Sequence, residues 1–369
     1  MTGSQPKSSQ TVALIIYDGK AGPTATQMIS FGKPFGGLAE SPIEIVFGQH
    51  CSDKERVGSV FAACRPDLLV LSRFTSALGL EWIGLARRAG IPIIFHIDDD
   101  LLAVPASLGE SKFKAYNSPE RLEALRDNIE ACDLVYVSTS PLADRFRQHG
   151  IATPIVAGDV YCAVAAEDVG ALLPPATGPV IGYMGTGGHA ADLAMIMPAV
   201  LKVMDTLPEL QFEVFGTVKM PAELQRFGNR VRHIPPVAEY SDFLPYLRSL
   251  GWWVGLAPLE DNLFNRCKAD TKWVEYSLAG MAVVASDLPV YHRACDGGAG
   301  KLAGTITEWT GAIRGLLLAP QKRTSMVDSA QRKLREIYSH ERLRDQVITV
   351  FDEAGRISRK APRSQSEAG

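Results

Sequence analysis

Val180-Ile-Gly-Tyr-Met-Gly-Thr-Gly-Gly-His189 runs from an apolar segment into a turn with three glycines in four residues, and helix-forming residues resume at Ala190. A strand that enters such a turn and then a helix is the unit from which parallel sheets with crossover helices are built. Bare backbone there lets a phosphate reach main-chain N–H groups at a helix N-terminus, where the helix dipole favours an anion. Gly185, Thr186, Gly187 and Gly188 are therefore expected to hold phosphate. The alternative is a tight turn with no ligand. Gly185-x-Gly187-x-x-Ala190 also fits a relaxed dinucleotide fingerprint, which calls for an acidic residue ending the next strand. That strand ends Val214-Phe215-Gly216, so neither a nicotinamide nor a flavin cofactor is expected. His189 is expected to donate a hydrogen bond to a phosphate or sugar hydroxyl, with a capping or surface role as the alternative.

Working outward, short β-branched runs alternate with helical patterns along the whole chain, which makes the fold class α/β. Strands are predicted at 12–17, 43–47, 68–71, 91–97, 134–137 and 154–156, then at 180–184, 211–215, 231–234, 253–256 and 282–286. Helices are predicted at 77–89, 120–131, 142–149, 191–204, 241–250, 267–279, 308–317 and 320–338. A length of 369 residues suits two domains. The expected division is a disordered N-terminus at 1–10, an N-terminal domain at 11–173 and a Pro/Gly linker at 174–179. A C-terminal domain follows at 180–339, then a helix at 340–354 placed against the N-terminal domain, and a disordered tail at 355–369. Two open sheets with loops at the carboxyl ends of their strands imply a ligand in a central cleft.

Composition is that of an ordinary globular protein, with 46% hydrophobic and 21% charged residues. A net charge of -3 supplies no field for a polyanion, so nucleic acid is not an expected partner. The six cysteines, at 51, 64, 132, 162, 267 and 295, form no CxxC pair, which fits a reducing cytoplasm better than a disulfide framework or a zinc site. The polar start MTGSQPKSSQ resembles neither a signal peptide nor an anchor, and no apolar run approaches the ~20 residues that span a bilayer. Any membrane contact is then peripheral, at the inner face. The helix at 77–89, with Trp82, Arg87 and Arg88, is read as a solvated face, with a membrane-leaning face as the alternative.

The stretch from Gly255 to Asp287 carries the most chemistry. A strand gives way to a polar loop, and Asn265 stands where it would cap a helix carrying Lys268, Lys272 and Glu275 on one face. Two ammonium groups near a helix N-terminus suit a diphosphate, and a carboxylate one turn on suits paired ribose hydroxyls. A solvated ion-pair stripe between Lys272 and Glu275 is the competing reading. Earlier in the chain, Asp98-Asp99-Asp100 ends a buried strand. Consecutive residues on an extended chain point in alternating directions and cannot all meet one ion, so no metal site is expected there. Asp98 and Asp99 are instead assigned to an acceptor-binding wall, with a helix cap as the alternative. The loop from Asp18 to Pro23, through Gly19, is expected to face the same place.

Several of these stretches together resemble the donor-site region of retaining GT-B glycosyltransferases, the group 1 or family 4 enzymes. They are Pro258-Leu-x-Asp261, Phe264-Asn265, Lys268, Lys272, Glu275-Tyr276, Gly280, Val283-Val-Ala-Ser286, the turn at Gly182–Gly185 with His189 and Asp192, Ile97-Asp-Asp-Asp100, Ser138-Thr139-x-Pro141-Leu142 and Trp309. The resemblance covers most of residues 65–318 and is strongest from 180 to 290. It implies two Rossmann-like domains, with a nucleotide-sugar donor on the C-terminal one and a glycan, lipid-linked glycan or small-molecule acceptor on the N-terminal one. It further implies transfer with retention, in polysaccharide biosynthesis, with no metal and no cofactor beyond the nucleoside-diphosphate sugar. Lys268 resembles the basic group on the donor phosphates and Glu275 the ribose carboxylate, with His189 beside them. Asp261, Asn265, Arg266, Lys272 and Tyr276 would complete the donor site.

Two departures stand out. Many members of the family it resembles carry a second glutamate eight positions before the one matched by Glu275, where this chain has Cys267, which leaves Glu260 or Asp261 to contact the donor sugar. The turn after Met184 also lacks the Arg and Lys pair of relatives. No nucleophile signature such as Gly-x-Ser-x-Gly occurs, in keeping with a reaction in which the leaving phosphate itself draws the acceptor proton. A sugar-nucleotide epimerase on the same scaffold and a non-catalytic nucleotide-sugar-binding protein are the alternatives.

Overall fold

The computed structural model describes residues 10–19, 22–38, 40–170 and 178–360. They separate into two compact units. The N-terminal unit gathers the described residues of Met1–Asp98, Ser118–Asp159 and Arg344–Gly369, and the C-terminal unit those of Asp99–Asn117 and Val160–Leu343.

In the N-terminal unit, β1 (Thr11–Tyr17), β2 (Ile43–Phe47), β3 (Leu68–Ser72), β4 (Ile93–Ile97), β5 (Leu134–Val137) and β6 (Ile155–Ala157) form one parallel sheet in the order β2-β1-β3-β4-β5-β6. Near-continuous apolar runs such as Leu68-Leu-Val-Leu71 are what a parallel sheet covered on both faces requires, and every residue of β3 and β4 is buried. The helix His340–Lys360 belongs to this unit from Arg344 onward. Gln346 fastens it by donating to the Tyr136 hydroxyl (2.6 Å) and accepting from the Asp159 N–H (2.7 Å), while Val347, Val350, Phe351 and Ala354 are buried. The helix continues through residues 355–360, past the expected start of the tail. Their polar composition suits an exposed helix end, and Arg356 reaches back to Glu353 at 2.7 Å. Residues 361–369 lie outside the described residues, as does the expected N-terminal segment up to residue 9.

In the C-terminal unit, β7 (Val180–Gly185), β8 (Gln211–Gly216), β9 (Val231–Ile234), β10 (Val254–Ala257), β11 (Ala282–Ser286) and β12 (Lys301–Ala303) form a second parallel sheet, ordered β12-β11-β10-β7-β8-β9. Its centre admits no side chain at one point: a Cβ on Gly182 would lie 2.1 Å from the buried Trp252 ring. The change of unit falls between Asp159 and Val160, ahead of the segment read as a linker, of which residues 174–177 lie outside the described residues. Val160, Cys162 and Val164 are buried, and Val164 pairs through its backbone with Tyr338 and His340. All six cysteines are free thiols. Among the described residues no helix is long and apolar enough to cross a membrane. Trp82 is wholly buried and donates to the Cys51 carbonyl at 3.0 Å, so the indole is not available to a membrane.

Candidate donor site in the C-terminal unit

The Gly-rich turn joins β7 to the helix Ala190–Thr206, with a short 3-10 turn at Gly187–His189. Two tyrosines hold it. Tyr183 donates to the His189 carbonyl (3.2 Å), and the Tyr276 hydroxyl accepts from the Met184 N–H (2.8 Å) while donating to the Leu256 carbonyl (3.2 Å). Tyr276, expected among the donor contacts, is fully buried with both hydrogen bonds spent on the ends of β7 and β10. It positions the turn. The Gly187 N–H is taken by the Thr217 hydroxyl (3.0 Å) and the His189 N–H by the Thr186 carbonyl (2.9 Å). Gly188 is buried, and its N–H has no hydrogen-bond partner among the described residues. Thr186 is exposed.

Asp192, in the first turn of that helix, is the hub of the site. It is 4% exposed; one carboxylate oxygen accepts from the Glu260 N–H (2.8 Å) and the Asn265 amide (3.2 Å), the other meets His189 Nδ1 (2.8 Å). A carboxylate there also faces the positive end of the helix dipole. The nearby Lys272 ammonium and burial hold the His189 pKa down at about 4, so the ring is neutral at pH 7. Since Nδ1 carries the proton toward Asp192, Nε2 presents a lone pair. His189 is thus suited to accept from a hydroxyl, and the donation to a phosphate or sugar hydroxyl expected from the sequence is replaced by acceptance, since Nε2 carries no proton to give.

The expected single helix at 267–279 is two. Leu263–Arg266 forms a short turn of helix capped by Asn262, whose side chain accepts from the Asn265 N–H at 2.8 Å, and Thr271–Leu278 forms the second. The chain unwinds at 268–270, where the Asp270 carboxylate receives the Tyr338 hydroxyl. Asn265 is not the cap; it is buried, with its amide bridging Asp192 and the Glu260 carbonyl (3.0 Å). Lys268 therefore lies outside the helix that carries Lys272 and Glu275, and the shared helical face does not exist. The three nevertheless converge, because Lys272 stands within electrostatic reach of Lys268, Asp192 and Glu275.

Lys268 donates to Asp99 at 3.1 Å and lies 4.7 Å over the Phe264 ring. Lys272 lies 5.9 Å from the Tyr183 ring centre and has no carboxylate at ion-pair distance among the described residues. Burial, reinforced by Lys268, lowers its pKa to about 8. Glu275 is 7% exposed and accepts from the Tyr240 hydroxyl at 3.2 Å. Tyr240, missed in the sequence, opens the helix Tyr240–Ser249 and stacks on Phe243. Its hydroxyl is pushed well up by burial and then by Glu275.

Arg266 and Asp261 bind one another through two contacts, one of 2.8 Å, and both are exposed. Cys267 is 1% exposed, with its thiol turned back to the Leu263 carbonyl (3.2 Å). The Glu260 carboxylate is half-buried and without a partner among the described residues, while its backbone is held by Asp192 and Asn265. The loop behind it is pinned by Ser286, whose hydroxyl bonds both the N–H (2.8 Å) and the carbonyl (3.0 Å) of Leu259.

The residues assigned to an acceptor wall part company. Asp98, in the N-terminal unit, is bound by Arg73 and by the Thr26 hydroxyl (3.0 Å). Asp99 belongs to the C-terminal unit. Gly19 is exposed at φ +117° and donates to the Ser52 hydroxyl (3.3 Å); Lys20 and Ala21 of its loop lie outside the described residues. Among the described residues no group of three or more His, Cys, Asp or Glu is arranged to hold a metal ion.

Two Rossmann-like α/β units, each built on a six-stranded parallel sheet, make this the GT-B fold, the fold of one large class of glycosyltransferases. Solved structures similar to it include Anabaena HepE in complex with UDP-glucose, at 15% identity over 92% of this chain and 99% of that one, with a TM-score of 0.65. Sucrose-phosphate synthase from Thermosynechococcus elongatus is similar at 14% identity, covering 94% and 99%, with a TM-score of 0.62. The UDP-forming α,α-trehalose-phosphate synthase of Burkholderia xenovorans, in complex with glucose-6-phosphate, is similar at 13% identity, covering 93% and 100%, with a TM-score of 0.60. No protein-family model and no curated protein sequence matches the chain.

Proposed function

We propose that this protein transfers a sugar from a nucleoside-diphosphate sugar to a hydroxyl acceptor. The observation that carries the reading is Lys272, a partly buried ammonium with no carboxylate at ion-pair distance among the described residues, within electrostatic reach of both His189 on the Gly-rich turn and the buried Glu275. A desolvated, unpaired cation is costly unless an anion arrives to meet it. A diphosphate at the start of the helix Ala190–Thr206 is such an anion, and it is the leaving group whose growing charge must be stabilised in sugar transfer. Glu275, with Tyr240 beside it, takes the ribose hydroxyls. Glu260 takes the role at the donor sugar left open by Cys267, because Asp261 is engaged at the surface by Arg266. His189 Nε2 accepts from a sugar hydroxyl. HepE, a protein of this fold, binds UDP-glucose, which agrees with the reading.

The lysines meet the diphosphate charge in this scheme without a metal. Retention follows from the family resemblance, with the acceptor attacking on the face the diphosphate leaves and the diphosphate drawing the proton. The acceptor is a glycan, a lipid-linked glycan or a small molecule. The test is a thermal-shift panel of UDP, GDP, ADP and their sugar conjugates, since a ligand bound only by the native state at ~100 times its Kd stabilises by about 2.7 kcal/mol. One base should stand out, and Glu275→Ala should cost its diphosphate at least tenfold in calorimetry with the unliganded melting point kept. No shift from any nucleotide would overturn the proposal.

A further inference from the structure

The helix Glu110–Tyr116 lies in the segment Asp99–Asn117 of the C-terminal unit, beyond the acidic run that ends at Asp100. Its two lysines differ. Lys114 is paired with Glu110 at 2.6 Å, whereas Lys112 has no carboxylate partner among the described residues. The Lys112 ammonium comes to the Gly-rich turn, so that a Cβ on Gly188 would stand 2.9 Å from its Nζ. The same missing side chain leaves room for Leu108, whose Cδ2 and carbonyl oxygen would lie 3.6 and 3.9 Å from that Cβ. One bond ties the segment to the rest of the unit, from Lys268 to Asp99, and an internal one, from the Asn117 amide to the Val104 carbonyl at 3.0 Å, closes the segment on itself. Lys112 is exposed, with its ammonium end at the turn.

Two features of the turn are left open by the residues around it. It carries no Arg or Lys of its own, and the N–H of Gly188, in the first turn of the helical segment, is without a partner among the described residues, as the leading N–H groups of a helix are until an outside acceptor meets them. Both call for the same thing, an anionic oxygen beside Gly188 and a cation to hold it. We propose that Lys112 is a diphosphate-binding residue, its ammonium and the Gly188 N–H together gripping an oxygen of the donor's diphosphate. The inference rests on the nucleotide-sugar reading above. It assigns to a remote segment the basic role that the turn lacks, as a point charge that follows a phosphate oxygen without demanding one geometry.

The experiment is calorimetry on the full-length protein with whichever of UDP, GDP or ADP the wild type binds best, using Lys112→Ala, Lys112→Arg and Lys114→Ala. Lys112→Ala should weaken binding about tenfold, Lys112→Arg should recover most of the loss, and Lys114→Ala should bind as the wild type does. Unchanged unfolding midpoints without nucleotide confirm that each variant folds. Wild-type affinity in Lys112→Ala overturns the inference and leaves the nucleotide-sugar reading intact. Equal losses in Lys112→Ala and Lys114→Ala also overturn it, by showing a general effect of surface charge. A wild type that binds none of the three diphosphates removes the reading and this inference together.

Discussion

Lys268 donates to Asp99 at 3.1 Å, joining residues 169 positions apart within the C-terminal unit. Both side chains are mostly shielded, at 17% and 21% exposure, so the pair is stronger than a surface contact. A diphosphate that recruits Lys268 must first compete with Asp99.

Asp99→Asn should therefore raise nucleoside-diphosphate affinity severalfold, while Lys268→Ala lowers it at least tenfold. Calorimetry on both variants decides the matter, and weaker binding by Asp99→Asn would show that the carboxylate supports the ligand instead of opposing it.

Lys272 has a folded-state pKa of about 8, below its ordinary 10.5. Between those values the unfolded chain binds the extra proton, so this group makes stability rise with pH from about 8 to 10.5. Diphosphate affinity should move the other way, falling as pH climbs through 8. Lys272→Met should remove both trends and, by deleting a desolvated charge, leave the unliganded protein at least as stable as the wild type at pH 7 while abolishing nucleotide binding. Chemical denaturation and calorimetry across pH 7–10 read the two effects separately.

His189 is held at about 4, below its ordinary 6.5. Here too the unfolded state is the one that protonates, so stability from this group is full above pH 6.5 and is lost as pH falls toward 4. His189→Gln should show a shallower acid loss over that window in urea melts; an unchanged slope would place the titration elsewhere.

Tyr276→Phe keeps the ring against Gly255 but strands the Met184 N–H in the interior. A loss of about 1–3 kcal/mol is expected, measured by denaturant unfolding, because the buried donor finds no new acceptor.

Cys267→Glu places an acidic residue eight positions before Glu275, where many of the group 1 glycosyltransferases that the sequence resembles carry one. At 1% exposure the new carboxylate is buried against the Leu263 turn, so the variant should melt well below the wild type and gain no activity, whereas Cys267→Ser should be tolerated. A stable, more active Cys267→Glu would return the sugar-binding role to this position and take it from Glu260.

Strands were the most legible feature, since apolar runs such as Val283-Val-Ala285 have few other uses. The exception, β12, is three residues long and carries a lysine. The break at 268–270 was hidden because Lys268 and Ala269 are good helix formers; Asp270, a residue type that favours helix starts, is the N-cap of the second helix and is held there by the Tyr338 hydroxyl. The charged members of the site were visible in the sequence as Lys268, Lys272 and Glu275, but their partners were not. Asp99, Tyr240 and Lys112 arrive from distant segments; the i,i+4 spacing of Glu110 and Lys114 sets Lys112 apart only as the lysine without a local partner.

The C-terminal helix that completes the N-terminal unit has a consequence for how the molecule is made. The N-terminal unit is assembled from segments on both sides of the bulk of the C-terminal unit, so its fold closes only once residues 344–360 have been made, long after its strand β1. Neither half can be obtained by a single cut: a fragment beginning at Val160 lacks Asp99 and Lys112, and one ending at Asp159 lacks Gln346 and the buried face around Phe351.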